Sequence, residues 1–406
     1  MKQKLVVIGN GMAGMRCVEE LLNLNSEAYE ITVFGAEPYG NYNRIMLTPL
    51  LFGDKSLDQI MIHDFDWYQQ RQITLHCGDH KTVIAIDRQL KQVIAKDGTV
   101  ADYDRLLIAT GSLPTLLKIP GAQLNGVMSF RDIADVERLI KASQIHQRAT
   151  IVGGGLLGLE AANALQQRGM QVTVINRASH ILNRQLDQAA GKLLQNHLQK
   201  QGIQFRLNAT VAEILAGDQQ QLKQIKLDDG SLLATDLVVI AMGIQPNIKL
   251  AKQAGLHCQQ GIEVNDQLQT SDASIYAVGE CVQHRGEVFG LVAPVYEQAK
   301  ICAQHLAGNN QIHYQSRLSA TILKVTGIDL FSVGVTEADS DCEQQLFVDA
   351  GLGVYRKLIV KNQHLVGAML YGDTQNSGFF MKLISENQPI TAIRDNLLFG
   401  QAEVVL

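Results

Sequence analysis

No two cysteines stand close enough in the sequence to build a redox-active dithiol, a zinc knuckle or an iron–sulfur site. The six lie singly at positions 17, 77, 258, 281, 302 and 342, without CxxC or cluster-ligand spacing. That scatter fits small buried hydrophobes in a reducing cytoplasm. The histidines offer no metal site either. His63, His76, His80, His180, His284 and His364 lie apart in different segments and read as structural or surface residues. Runs of Lys or Arg are absent and the net charge is −5, which argues against nucleic acid or an anionic lipid surface as partner. Long apolar runs are absent too. The opening "MKQKLVVIGNGMAG" passes from a polar lead through a brief apolar stretch into glycines, the pattern of neither a signal peptide nor a membrane span.

What is present is a globular composition: 406 residues, 46% hydrophobic, 18% charged, with 35 glycines, enough for two or three domains. "KLVVIG" is a continuous apolar run typical of a buried parallel strand. It leads into Gly9, Gly11 and Gly14 in GxGxxG spacing, then a helical stretch and a second strand, "YEITVF". In such a unit one glycine permits the tight turn, one lets backbone approach a pyrophosphate, and one lets helix and strand pack closely. The free N–H groups at the helix start then face the phosphates. The pattern recurs in "ATIVGGGLLGLEAANAL", with Gly153, Gly155 and Gly158, followed by the strand "QVTVI". Two such units imply two dinucleotides facing each other.

The remaining segments fit this plan. "YDRLLIATGSLP" and "TDLVVIAMGIQPN" each read as a buried strand closing on a glycine turn and a proline, as at crossings between domains. "TSDASIYAVGEC" is a further strand closing on Gly279 and Glu280, and "APVYEQAKICAQHLAG" is a helix with Pro294 in its first turn and Gly308 at its end. Beyond about 321, short strands and a helix-like stretch read as a small α+β domain. The expected fold class is α/β, with two Rossmann-like domains. The first dinucleotide-binding domain is discontinuous (1–113 and 243–320), the second spans 114–242, and the α+β domain spans 321–406. One residue is missing from the pattern. The strand in "VTVINRASHILNR" ends in Asn176 and Arg177, where an Asp or Glu ordinarily accepts from the ribose hydroxyls of NAD.

These segments resemble the two-dinucleotide-binding FAD/NAD(P)H pyridine-nucleotide reductases, and within them the flavin modules of assimilatory nitrite and nitrate reductases. "VVIGNGMAG", "NYNRIMLT", "LLIATGSLP", "IVGGGLLGLEAA", "VVIAMGIQPN", "IYAVGECV" and "VFGLVAP" carry the resemblance, which runs from residue 5 to about 374. It implies that Gly9, Gly11, Met12, Ala13 and Gly14 cradle the FAD pyrophosphate, and that Glu37 meets the adenosine ribose. Arg44 and Thr48 would line the flavin, Thr110 and Gly111 mark the turn beneath it, and Gly279 and Glu280 reach its ribityl chain. Gly153, Gly155, Leu156, Leu157 and Gly158 would hold the nicotinamide cofactor, with Gly243 at the return crossing. Glu160 would orient the carboxamide, although read alone it is equally a solvated or capping residue. The helix at Pro294 would point its N-terminus at the flavin, so Glu160, Arg44 and Pro294 are the residues expected closest to the chemistry.

The resemblance also narrows the reaction. Thiol-dependent relatives carry a cysteine in the loop that here reads "YGNYNRIMLT". The iron–sulfur and sirohaem parts of nitrite reductases have no counterpart here, so nitrite reduction by this chain alone is not expected. The expected activity passes electrons from NAD(P)H through FAD to a separate acceptor protein, an assimilatory nitrate or nitrite reductase. A rubredoxin- or ferredoxin-type reductase of another pathway is the alternative, and a flavin-binding redox regulator without turnover is a third reading. At Asn176 and Arg177 two readings stand. Either they favour the 2′-phosphate of NADPH, used at least as well as NADH, or Arg177 faces solvent and Asn176 serves NADH. Oligomeric state is left open.

Overall fold

The computed structural model describes residues 2–217, 221–325, 327–349 and 351–400. The last six positions of the expected α+β domain therefore lie outside the described residues. The chain forms two compact units, one of residues 1–114 and 244–316, the other of 115–243 and 317–406.

The first unit is built on a five-stranded parallel sheet. Its order is Ile275–Ala277, Arg105–Ile108, Gln3–Ile8, Tyr29–Gly35, Thr74–Cys77. The strands are apolar on both faces because both faces pack into the core, which is why they read as continuous runs rather than alternations. Helices Met12–Asn25 and Val292–Leu306 pack on it through Met15, Val18, Leu21, Ala299 and Cys302, all buried. The Tyr29 hydroxyl donates to Leu306 O at 2.8 Å inside this core.

The second unit repeats the plan. Its parallel sheet runs Val127–Ser129, Leu237–Ile240, Arg148–Val152, Gln171–Asn176, Gln204–Leu207. In both sheets the strand before the glycine loop is central, flanked by the strand after the first helix and by one ending in Ala-x-Gly (Ala109–Gly111, Ala241–Gly243). The crossings "TGSLP" and "MGIQP" meet: Ser112–Pro114 pairs antiparallel with Ile244–Pro246.

The C-terminal part is a five-stranded antiparallel sheet ordered Thr321–Val325, Ile328–Gly334, His364–Tyr371, Val354–Lys361, Glu343–Asp349, backed by helix Ser377–Ser385. The hairpin between its two longest strands turns on Asn362 and Gln363, both at positive φ. Tyr355, Arg356 and Lys357 are buried in succession, so both faces of their strand are covered. Arg356 reaches Leu398 O and Asp373 on one face. Tyr355 and Lys357 reach Asp187 on the other, at 2.5 and 2.9 Å. This contact ties the C-terminal sheet to helix Gln188–Lys200 within the second unit. Among the described residues no helix is long and apolar enough to cross a membrane.

Candidate functional site

Each glycine loop sorts its glycines into those that allow packing and one that leaves space. Gly9 has φ +118, and a Cβ there would stand 2.1 Å from Ala109 O; one at Gly14 would stand 2.7 Å from Gly9 O. Gly11 differs, since a Cβ there meets nothing within 4 Å. It is also the N-cap of helix Met12–Asn25 and offers no side-chain cap. The first-turn amides therefore look onto open space, the cradle an anionic ligand fills. The second loop matches it. Gly153, at φ +121, lies against Ala241 O and Gly158 against Gly153 O, at 2.3 and 2.0 Å from the added Cβ, while Gly155 is open and uncapped. Leu156 and Leu157 begin that helix, and Glu160 is half-buried one turn in. The residues present fit a dinucleotide pyrophosphate at each loop.

Around the first loop the structure gathers several sequence-expected residues. Glu280 Oε2 accepts from the Ser112 hydroxyl at 2.6 Å, and Thr110 Oγ1 donates to Asn247 O at 2.7 Å. Gly111 O accepts from Asn247 N at 2.9 Å, so the two crossing segments hold each other. Gly279, at φ +95, lies so close to Ala13 that a Cβ there would approach the Ala13 Cβ to 2.9 Å. The helix Val292–Leu306 places Pro294 in its first turn and has no side-chain cap at Leu291. Fully buried Gln298, on the same helix, accepts from Gly279 N at 2.9 Å and fixes the Gly279–Glu280 turn. Gly243, at φ +103, accepts from Thr115 N at 2.9 Å where the chain crosses back.

Arg44, expected along the flavin, has protein partners of its own. Its guanidinium pairs with Glu37 and lies over the Tyr42 ring, 5.1 Å from the centroid. The other Glu37 oxygen accepts from the Tyr42 hydroxyl at 2.7 Å. Glu37 and Arg44, read as serving opposite ends of the flavin cofactor, form one cluster past the end of strand Tyr29–Gly35. Thr48 is buried in the short helix that follows.

At the second strand end, Asn176 turns inward to Gly154 N and to the carbonyls of Ala178 and His180, while Arg177 is exposed. Ser112, Gln298 and Asn10 were not singled out in the sequence. Ser112 alone carries a signal there, as the polar residue after the "ATG" turn. The cysteines are unpaired, and burial pushes the Cys281 thiol up to about 11, which makes it a poor nucleophile. His284 is buried against Asp266, whose carboxyl is held at about 2 by Arg285 first and His284 second. Among the described residues, no group of three His, Cys, Asp or Glu side chains is arranged to hold a metal.

Two open cradles at uncapped helix starts, in repeated parallel α/β units, define a two-dinucleotide oxidoreductase. The chain belongs to the pyridine nucleotide-disulphide oxidoreductase family, whose profile matches residues 3–305. Residues 320–388 match the rubredoxin NAD+ reductase C-terminal domain. The chain is 43% identical to an NAD(P)H nitrite reductase of Bacillus subtilis, over 96% of this chain and 48% of that protein. It is also 43% identical to the assimilatory nitrate reductase electron transfer subunit of the same organism, over 98% of this chain and 51% of that one. The chain thus spans about half the length of these relatives. A rubredoxin-NAD(+) reductase of Acinetobacter baylyi is 32% identical over 91% of this chain and 94% of its own. A ferredoxin reductase from Rhodopseudomonas palustris shares the fold, with TM-score 0.86 at 24% identity over 96% of each chain. The family match supports FAD and NAD(P)H as the bound dinucleotides.

Proposed function

We propose that the chain is an FAD-dependent NAD(P)H reductase that delivers electrons to a separate redox protein, an assimilatory nitrate or nitrite reductase. What carries the reading is the pair of open glycine cradles in a chain matched almost end to end by two such reductase components. FAD and NAD(P)H supply the redox chemistry itself, hydride acceptance and release of single electrons. The protein's own groups bind and orient. Gly11 and the amides after it receive the FAD pyrophosphate, and Glu37, steadied by Arg44 and Tyr42, serves the adenosine end. Glu280, aligned by Ser112, accepts from the ribityl chain, and the uncapped start of helix Val292–Leu306 favours negative charge on the flavin. Glu160 orients the nicotinamide carboxamide. Six unpaired thiols support a cytoplasmic site of action.

The purified FAD-loaded chain should reduce ferricyanide rapidly with NAD(P)H and should reduce neither nitrate nor nitrite until the acceptor protein is added. Partner-free nitrite turnover overturns this. A second reading, a rubredoxin reductase, is favoured by the match over residues 320–388. Comparing rates with purified rubredoxin and with a nitrate reductase catalytic subunit separates the two.

For the nicotinamide cofactor we favour NADPH. Asn176 removes the carboxylate that would repel a 2′-phosphate, and exposed Arg177 makes no hydrogen bond or ion pair among the described residues. Arg177→Ala should lower kcat/KM for NADPH roughly ten- to a hundredfold, the worth of one charge-assisted contact, with little change for NADH. Asn176→Glu should lower the NADPH preference by adding negative charge beside the 2′-phosphate. A wild type that strongly prefers NADH, with a ratio indifferent to Arg177→Ala, would sink this assignment.

A further inference from the structure

Asn176 stands where a dinucleotide site usually presents a carboxylate, yet its amide is fully employed within the protein. Oδ1 accepts from Gly154 N at 3.2 Å, and Nδ2 donates to His180 O at 2.8 Å and Ala178 O at 3.4 Å. An amide nitrogen carries two protons, so none is left for a ribose oxygen. Gly154 is engaged a second time, its carbonyl accepting from Leu182 N at 2.9 Å. Asn208 N adds a bond to Ala178 O at 3.3 Å. The loop 177–182 is thereby pinned at both ends to the central residue of the second glycine loop.

The first glycine loop holds the same device with the two residues exchanged. There asparagine, Asn10, is central in the loop, and glycine, Gly35, ends the strand. Asn10 Nδ2 donates to Tyr39 O at 3.1 Å, in the loop after the strand, while Oδ1 accepts from the Tyr68 hydroxyl at 2.7 Å. A Cβ at Gly35 would stand 2.8 Å from Asn10 Cβ, and one at Gly154 would stand 3.0 Å from Asn176 Cγ. Each junction has room for a single side chain. In each it is an asparagine, and its amide spans from the glycine loop to the loop beyond the second strand.

We propose that Asn176 is a positioning residue for cofactor selection. Its amide fixes the loop that carries Arg177, so that the guanidinium meets a 2′-phosphate from a preformed backbone, while Asn176 itself makes no bond to the ribose. The proposal rests on the NADPH reading above. Holding the loop before binding removes an ordering cost that would otherwise reduce the affinity. A carboxylate at 176 lacks donors and would face two carbonyl oxygens, so the loop itself selects asparagine over aspartate.

The exchanged arrangement supplies the test, on the FAD-loaded full chain. Asn176→Gly should speed hydrogen exchange of amides 177–182 and weaken NADP+ binding about tenfold, with a smaller effect on NAD+ and no loss of FAD. Gly154→Asn alone should be poorly tolerated, because its side chain meets Asn176. The double variant Gly154→Asn/Asn176→Gly copies the first loop, and Gly154 has no positive φ to forbid it. It should restore both the protection and the NADP+ affinity. Unchanged exchange and an unchanged NADP+/NAD+ ratio in Asn176→Gly overturn the proposal, as does a double variant that recovers neither. A wild type without any NADP+ advantage instead overturns the NADPH reading, which the wild-type titration shows by itself.

Discussion

Gly11→Leu should yield a colourless protein. A Cβ at this position meets no atom within 4 Å, and the residue has φ −85, which leucine adopts freely. The substitution therefore strains nothing in the fold and fills only the space in front of the first-turn amides. Gly9 is the contrasting case, since at φ +118 and 2.1 Å from Ala109 O any side chain disrupts the strand-to-helix turn itself. Purified Gly11→Leu should carry less than about a tenth of the wild-type FAD while keeping its circular dichroism. Its melting temperature should fall toward that of the FAD-stripped wild type, because the stabilisation contributed by a bound ligand is gone. A folded variant with full FAD occupancy would show that the first glycine loop is not the flavin site.

The second large effect is expected at Lys357. Its ammonium and the Asp187 carboxylate are 2.9 Å apart, with side chains only 6% and 8% exposed. Burial alone would push the Asp187 carboxyl up. The Tyr355 hydroxyl, the Ala190 amide and Lys357 outweigh it and hold the group below the usual range. Lys357→Ala removes the cation and leaves a buried anion, a change that costs about 3–5 kcal/mol. The penalty should shrink as pH falls. A carboxyl with a depressed folded pKa contributes its stability above the unfolded value of 3.8 and loses it as the group protonates below that. The gap between wild type and Lys357→Ala in urea denaturation should thus be widest near neutral pH and narrow below about pH 4. Tyr355→Phe should cost nearer 1 kcal/mol. Asp187→Asn with Lys357→Met keeps the cap on Ala190 without a buried charge, and should recover much of the loss. A Lys357→Ala variant as stable as wild type would mean that water reaches the pair.

The Asp187–Lys357 pair also marks the limit of what the sequence reveals. The two glycine loops were legible because their requirement is local: a positive φ at Gly9 and Gly153, and a helix pressed against a strand at Gly14 and Gly158. Three strands of the C-terminal sheet, at "QLFVD", "YRKLIV" and "LVGAMLYG", were legible from their apolar runs, whereas Thr321–Val325 and Ile328–Gly334 were not. A strand reading "YRKLIV" says nothing, however, about which helix start its lysine will meet 170 residues away. The same holds for Gln298 on Gly279 and Ser112 on Glu280, whose partners become neighbours only through the fold. The resemblance of the "NYNR" segment says nothing of the Glu37 carboxylate and Tyr42 ring that Arg44 meets, because those contacts depend on how the loop packs. Asn176 was legible as a missing carboxylate but not as a brace, because its partners are backbone atoms that leave no mark in composition.

The ribbon formed by Ser112–Pro114 and Ile244–Pro246 has a consequence for how the chain reaches its native state on the ribosome. The first unit's parallel sheet waits for strand Ile275–Ala277, which joins Arg105–Ile108 after roughly 170 intervening residues have been made. Closing so long a loop from an unstructured chain carries a large entropic cost. The intervening segment would lower it by folding first. Its edge strand Val127–Ser129 pairs with Leu237–Ile240, near its two ends, and Thr115 N then reaches Gly243 O. Once that sheet forms, residues 114 and 244 emerge side by side, and the separation that remains to be closed falls from roughly 170 residues to roughly 40. Synthesis order and topology thus agree: every strand of the second unit's parallel sheet is synthesised before strand Ile275–Ala277 and helix Val292–Leu306 of the first. Destabilising the second unit's parallel sheet should consequently show itself first as poor assembly of the first unit during expression.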